Sequence, residues 1–225
     1  MQEKKTNYLG RGLLGGGLVL VLLLIDQLIK IEVKTNMRIG DEIYIFDWFR
    51  IHFIENNGMA WGMELGSKIF LSLFRIVAVA FGIWYFVQQI RRAASLRYVV
   101  LLSMILAGAT GNIFDSLFYG QLFTESTPWS ISTLTAFGEG YAPMLKGKVV
   151  DMFYFPIIDT TWPSWMPWVG GDRFVFFSPI FNFADACISV GVILLILFCR
   201  NGHVPAPVKG DRDISSERQR EENEM

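Results

Sequence analysis

Two asparagines and three aspartates stand where a mostly apolar chain should carry no such groups. Asn112 and Asp115 share one apolar segment, and Asn182 and Asp185 share another. Each pair is spaced i, i+3, which puts an amide and a carboxyl on one face of a helix. Asp151 lies between the pairs, in Lys148-Val149-Val150-Asp151-Met152. Two aspartates brought together in a low-dielectric site cannot both ionise easily, so one pKa rises and the pair shares a proton. The ionised member takes a proton from a water that attacks a peptide carbonyl. The protonated member donates to the carbonyl oxygen and then helps the amine leave. This chemistry requires no metal and no cofactor. Spacing alone does not say which two of the three carboxyls react.

The plainer readings compete. An Asn-x-x-Asp pair near a helix end is often a cap or an interhelical hydrogen bond. Two pairs at one depth with a third aspartate between them favour a site, because an ionisable group inside a membrane costs about 2.5–3.5 kcal/mol at the centre. Asp26 and Lys30 are spaced i, i+4 with the acid first, the favourable order for an ion pair, and mutual neutralisation explains them as well as chemistry does. Arg75, about two turns into its segment, either snorkels outward or holds a carboxylate or phosphate of a substrate. Both readings stay open. His52 and His203 read as structural, and Cys187 and Cys199 as small apolar residues. No Ser/His/Asp or Cys/His grouping, zinc-type cluster or phosphate-cradling loop can be assembled. The net charge of -1 offers no basic field, which argues against a nucleic-acid partner.

These residues need elements to position them. Hydrophobic residues make up 52% of the chain and charged residues 18%, against roughly 25% charged in soluble domains. Four segments are apolar enough to be read as membrane spans, at about 12–31, 69–87, 98–117 and 181–198. The expected fold is an all-α membrane protein of four transmembrane helices, with a small extracytoplasmic β-sheet on the outer face. The first segment reads as a span and not as a cleaved leader, because no small-x-small site follows it. Arg91, Arg92 and Arg97 in the short loop, and Lys4, Lys5 and Arg11 before the first span, place both ends inside. Outer loops then cover 32–68 and 118–180. Within the first, Glu42–Phe46 and Phe49–Ile54 read as strands. The second carries Trp129, Trp162, Trp165 and Trp168, rings that favour the headgroup region. Its part from 121 to 148 reads as a surface insertion of unpredicted structure. Residues 1–200 form the expected membrane domain, and 201–225 a polar, disordered cytoplasmic tail.

Five stretches, in order, resemble the lipoprotein signal peptidases, the type II signal peptidases of bacteria. They are Asp26-Gln27-x-x-Lys30, Asn56-Asn57-Gly58-Met59-Ala60-Trp61, Gly108-Ala109-Thr110-Gly111-Asn112-Ile113-Phe114-Asp115, Val149-Val150-Asp151, and Phe181-Asn182-Phe183-Ala184-Asp185. The resemblance implies that Asp151 and Asp185 are the catalytic dyad. It implies that Asn56, Gly58, Asn112, Asp115, Asn182, Asp26 and Lys30 line or support the site. The implied substrate is a prolipoprotein already carrying diacylglycerol on a cysteine, cut just before that cysteine at the outer face of the bacterial inner membrane. Membrane lipid surrounds the site, and a monomer suffices because one chain holds all of it. Three features depart from the family pattern. Ser116 stands where most members have Arg, so a contact expected there is missing or comes from another residue. Ala107 replaces the first glycine of the third motif. The connection from Asp115 to Asp151 is far longer than usual, which suits a lid or a docking surface.

Two rivals share part of the pattern. A proton- or ion-coupled transporter also uses intramembrane aspartates and amides, although no inverted repeat is evident. An assembly factor would use the same residues as glue between helices.

Overall fold

The computed structural model describes residues 2–57 and 68–199 of the 225-residue chain. Gly58 and the rest of its motif to Trp61 lie outside the described residues, as does the polar tail from 201. Helix α1 (Gln2–Asn36) leads into strands β1 (Glu42–Phe46) and β2 (Phe49–Asn56), then helices α2 (Lys68–Arg91) and α3 (Leu96–Phe114). A π-helical turn (Asp115–Tyr119) and a short helix α4 (Gly120–Leu122) extend α3. Strands β3 (Val149–Tyr154), β4 (Ile158–Thr161), β5 (Arg173–Phe176) and β6 (Ile180–Phe181) precede helix α5 (Phe183–Phe198).

The helices are inside-out relative to a protein folded in water. On α1, Leu13, Leu20, Leu24 and Leu28 are exposed, while Asp26, Lys30 and Lys34 are buried. Those three recur every fourth residue, so they form one polar stripe on an apolar helix. Phe70, Phe74, Val77 and Phe81 of α2 also face outward. Such a surface is stable only in lipid, where backbone polar groups must be satisfied within helices. Three helices, Tyr8–Asn36, Lys68–Arg91 and Leu96–Leu122, are long and apolar enough to cross a membrane. The fourth apolar segment is shorter than expected. Phe181 belongs to β6 and Asn182 is extended (φ -114°, ψ 178°), so α5 starts at Phe183 and has 16 residues. At 1.5 Å per residue it spans about 24 Å, less than the ~30 Å hydrocarbon core.

Helix α3 is the centre of the bundle and packs against α1, α2 and α5. Small residues permit this. A Cβ at Gly15 would meet Phe86 Cζ at 2.6 Å and Val99 Cγ1 at 2.9 Å. One at Gly108 would overlap the Ala184 carbonyl oxygen, and one at Gly111 the Asp26 carboxylate. Close approach through small residues is how helices associate without a hydrophobic driving force between them.

The β-structure exceeds the small sheet expected. The strands at Glu42–Phe46 and Phe49–Asn56 match the expected runs, the second being two residues longer. They join β3 and β6 in an antiparallel sheet of order β1-β2-β3-β6. Ile54 pairs with Asp151 and Asn56 with Val149. Strands β4 and β5 form a separate hairpin. One face of β2–β3 packs Phe53, Val150 and Met152 against Val33, Met37, Tyr119 and Phe123. Each such side chain contributes about 1.5–3 kcal/mol by burial, which fixes the strand that carries Asp151.

Candidate active site

Four separate elements deliver the predicted polar residues to one place. Strand β3 brings Asp151 in, with 2% exposure. Asn182 caps α5: its Oδ1 accepts from the Asp185 backbone N–H at 2.9 Å, and the Asp185 carboxylate accepts from the Asn182 N–H at 3.4 Å. The capping reading is therefore correct, and it also fixes the Asp185 side chain. Helix α3 supplies Asn112. Where α3 widens into the π-helical turn, Asp115 comes in fully buried. Such turns inside helices recur at functional sites.

The two asparagines connect the two aspartates. Asn182 Nδ2 donates to Asp151 Oδ1 at 2.6 Å and to Asn112 Oδ1 at 3.1 Å. Asn112 Nδ2 donates to Asp185 Oδ1 at 2.7 Å. Amide orientation follows from chemistry here. Lys30 Nζ can only donate, and it donates to Asn112 Oδ1 at 3.0 Å, so the Asn112 NH₂ must face Asp185. The backbone N–H of Asp185 likewise turns the Asn182 NH₂ toward Asp151. Asn56 also hydrogen-bonds the Asp151 carboxyl. Each donated bond favours the ionised carboxyl, and burial opposes it.

At Asp151 burial wins. Removal from water, and next the charge of Asp185, push its carboxyl up to about 7, against the pull of Asn182 and Asn56. A carboxyl held there is half protonated near neutrality while a second carboxyl stands beside it. That is the state a shared-proton pair needs.

Beneath the pair lies a buried charge cluster. Lys30 Nζ sits 3.0 Å from Asp26 Oδ2 and 2.8 Å from Asp115 Oδ2, all three fully or almost fully buried. Gln27 Nε2 donates to both Asp26 and Asp115 at 3.0 Å, and Gln27 Oε1 accepts from the Tyr119 hydroxyl at 3.0 Å. Asp26 Oδ1 accepts from the Ala184 N–H at 3.0 Å. Asp26, Lys30 and Asp115 thus tie α1, α3 and α5 together beneath the pair and reach it through Asn112.

Arg75 points at the same region. Its Nη1 lies 3.5 Å from the Ser116 hydroxyl, and Ser116 Oγ in turn donates to the Asn112 carbonyl at 3.1 Å. This contact brings an α2 guanidinium beside position 116. Gly58 lies outside the described residues. His52 pairs loosely with Glu42 at 4.0 Å. Among the described residues no three His, Cys, Asp or Glu side chains are grouped to hold a metal ion.

Residue reasoning missed Gln27 and Tyr119, and a second buried pair, Lys34 with Glu55. The signal for Gln27 and Lys34 was present. Lys34 continues the fourth-residue stripe of Asp26 and Lys30, and Gln27 adjoins Asp26 three residues before Lys30 on an otherwise apolar helix.

The profile of the signal peptidase (SPase) II family matches residues 18–200. The chain is 52% identical over 190 residues to the lipoprotein signal peptidase of Porphyromonas gingivalis, covering 84% of each. It is 34% identical to that of Amoebophilus asiaticus, covering 80% of this chain and 75% of the relative. A solved bacterial membrane enzyme superposes with a TM-score of 0.54 at 26% identity, covering 81% of this chain and 90% of that one. A second, at 23% identity, shares the fold with a TM-score of 0.55 over 87% and 93%. With the motifs in family order and the matched region spanning α1 to α5, this chain belongs to the signal peptidase II family.

Proposed function

We propose that the protein is an intramembrane aspartic endopeptidase. It removes the signal peptide from prolipoproteins that carry diacylglycerol on a cysteine, cutting immediately before that cysteine. One observation carries the reading: two asparagines, bonded to each other, hold the carboxyls of Asp151 and Asp185 in one hydrogen-bonded cluster. The ionised partner accepts a proton from the attacking water. The protonated partner donates to the scissile carbonyl oxygen; the proton taken from the water then passes to the departing amine, and the tetrahedral hydroxyl returns the other proton as the new carboxyl forms. Asn112 and Asn182 orient the pair. Asn56, and Gly58 by its place in the motif, line the peptide's path, and Arg75 faces the reacting groups. Asp26, Lys30 and Asp115 act from beneath as support.

The setting is the bacterial inner membrane. Three helices span it and α5 crosses as a short fourth, with the site and the β1-β2-β3-β6 sheet at the outer face and the Arg91–Arg92 loop inside. A short α5 suits this arrangement, because Asp185 then opens its first turn where lipid meets solvent. A substrate anchored by acyl chains reaches such a site through the surrounding lipid, and the enzyme works as a monomer. The family comparisons leave the transporter alternative without support.

The test is cleavage of a diacylglyceryl-modified precursor by purified Asp151→Asn and Asp185→Asn proteins in lipid nanodiscs. Both variants remain folded, and each loses at least about 10³-fold in rate, the scale lost when one member of a catalytic unit is removed. Normal cleavage by either variant overturns the assignment.

A further inference from the structure

Behind the sheet, on the face away from Asp151, lies a second buried polar network that the reaction chemistry does not use. Lys34 of α1, fully buried, pairs with Glu55 of β2, which is 2% exposed. Ser126 joins both: it accepts from Lys34 Nζ at 2.8 Å and donates to Glu55 Oε1 at 2.8 Å. Lys148 Nζ lies 3.2 Å from Glu55 Oε2 as a second ion pair and reaches Glu125 at 3.3 Å. The Tyr141 ring lies near both ammonium groups, 5.2 Å from Lys34 Nζ and 5.3 Å from Lys148 Nζ. Its hydroxyl accepts from the Lys148 backbone N–H at 2.6 Å. Ser126, Tyr141 and Lys148 all belong to the long segment between α4 and β3.

That segment is tied down along its length. Thr135 N donates to Leu122 O at 2.7 Å, Thr124 N to Thr133 O at 2.9 Å and Ala142 N to Gly120 O at 2.9 Å. Gly147 N donates to Ser116 O at 3.0 Å, and a Cβ at Gly147 would overlap the Asp115 carbonyl oxygen. Ser72 Oγ of α2 donates to Leu145 O at 2.8 Å. A segment so bonded to its own base and to α2 is a brace.

The network meets the reacting groups through two short stretches of backbone. Glu55 precedes Asn56, whose side chain hydrogen-bonds Asp151. Lys148 immediately precedes the strand that carries Asp151, three residues on, and Glu55 pairs in register with Val150. We propose that the Lys34–Glu55–Ser126–Lys148 cluster and its brace are a positioning device: they fix the β2 and β3 strand ends so that Asn56 holds the Asp151 carboxyl for reaction. This rests on Asp151 being catalytic, as assigned above.

The experiment measures kcat and KM separately on a diacylglyceryl-modified peptide, with full-length enzyme in nanodiscs. The variants are Glu55→Gln and the double change Lys34→Met with Glu55→Met. The double change replaces a buried pair by apolar groups of similar length, which leaves folding close to intact. Displacing a reacting group by about 1 Å costs about 100-fold, so kcat falls about 10- to 100-fold while KM stays within about twofold. Tyr98→Phe breaks the Tyr85–Tyr98 hydroxyl pair, remote from the site. It serves as the control for a purely structural loss, losing thermal stability at unchanged kcat. Wild-type kcat in folded double variant overturns the proposal. Should both variants fail to fold, Ser126→Ala and Tyr141→Phe each remove a single hydroxyl, and unchanged kcat in both overturns it equally. Asp151→Asn runs in parallel. An active Asp151→Asn enzyme refutes the underlying assignment, whereas an inactive one beside an unimpaired Glu55→Gln enzyme refutes this inference alone.

Discussion

Replacing Asp151 by Asn abolishes cleavage and, in neutral solution, makes the protein more stable. The carboxyl ionises near 3.8 when unfolded and is pushed up to about 7 in the fold, by burial first and the Asp185 charge second. The folded protein therefore holds this proton more tightly than the unfolded chain does. Below the unfolded value both states are protonated and Asp151 carries no penalty. As pH rises toward 7 the unfolded state gains from ionising and the native state does not, so stability is lost and the loss is complete above the folded value. The shift of about three units at 1.36 kcal/mol each makes the full penalty about 4 kcal/mol. Asparagine has the shape of the protonated acid and never ionises. The variant's advantage over wild type is thus near zero at about pH 4 and grows to about 4 kcal/mol at about pH 8. Equilibrium unfolding in mixed micelles across that range, followed by circular dichroism, measures the difference. Contributions from titrating groups that do not interact with Asp151 cancel between the two proteins. A difference that does not vary with pH, or an Asn variant less stable at the alkaline end, refutes the reasoning.

Removing the cation beneath the pair acts in the opposite sense. Lys30→Met leaves the Asp26 and Asp115 carboxylates buried without their partner and costs about 3–5 kcal/mol; an unfolding free energy within about 1 kcal/mol of wild type contradicts the buried cluster. Asp185→Asn removes the second cause of the Asp151 shift, so the titration of Asp151, read by carboxyl infrared bands in labelled protein, moves down toward the ordinary range. No movement means the two carboxyls are not neighbours. Gly111→Ala drives a methyl into the Asp26 carboxylate, whereas Gly16→Ala meets nothing within 4 Å. The first destabilises by about 1–3 kcal/mol from overpacking, while the second is neutral or stabilising by up to about 1 kcal/mol from helix propensity. Similar effects at both sites contradict the packing. Arg75→Gln lowers kcat/KM about tenfold and Arg75→Lys restores most of it, as expected for a charge aimed at the reacting groups; equal activity of the Gln and Arg enzymes means that Arg75 only snorkels.

The clustered polar residues were legible because lipid makes polarity conspicuous. In a segment of Leu, Ile, Val and Gly, an Asn-x-x-Asp pair has no solvent to face, so Asn112, Asp115, Asn182 and Asp185 stand out with their spacing. The strands at 42–46 and 49–56 were legible from their β-branched and aromatic runs. Strands β3 and β6 were not. Val149–Tyr154 is hydrophobic on both faces apart from Asp151, and its pairing with β2 is set by contacts across about 100 residues. The start of α5 was read too early, since Phe181 continues the apolar run while Asn182 takes the extended conformation that a cap requires. The segment from 121 to 148 carries no period because backbone bonds to its own base order it, and isolated Ser126 and Tyr141 give no hint of the pair they hold. Arg75 was left undecided, since only the third dimension brings its Nη1 to 3.5 Å from the Ser116 hydroxyl.

The central claim is that one bound oxygen is held between two carboxyls. Its most direct test is the structure of the enzyme with a lipid-modified peptide in which a tetrahedral hydroxyl replaces the scissile carbonyl. The account predicts that hydroxyl at about 2.6–3.2 Å from an oxygen of Asp151 and an oxygen of Asp185 at once. A peptide bound in register with its hydroxyl out of reach of either residue contradicts it.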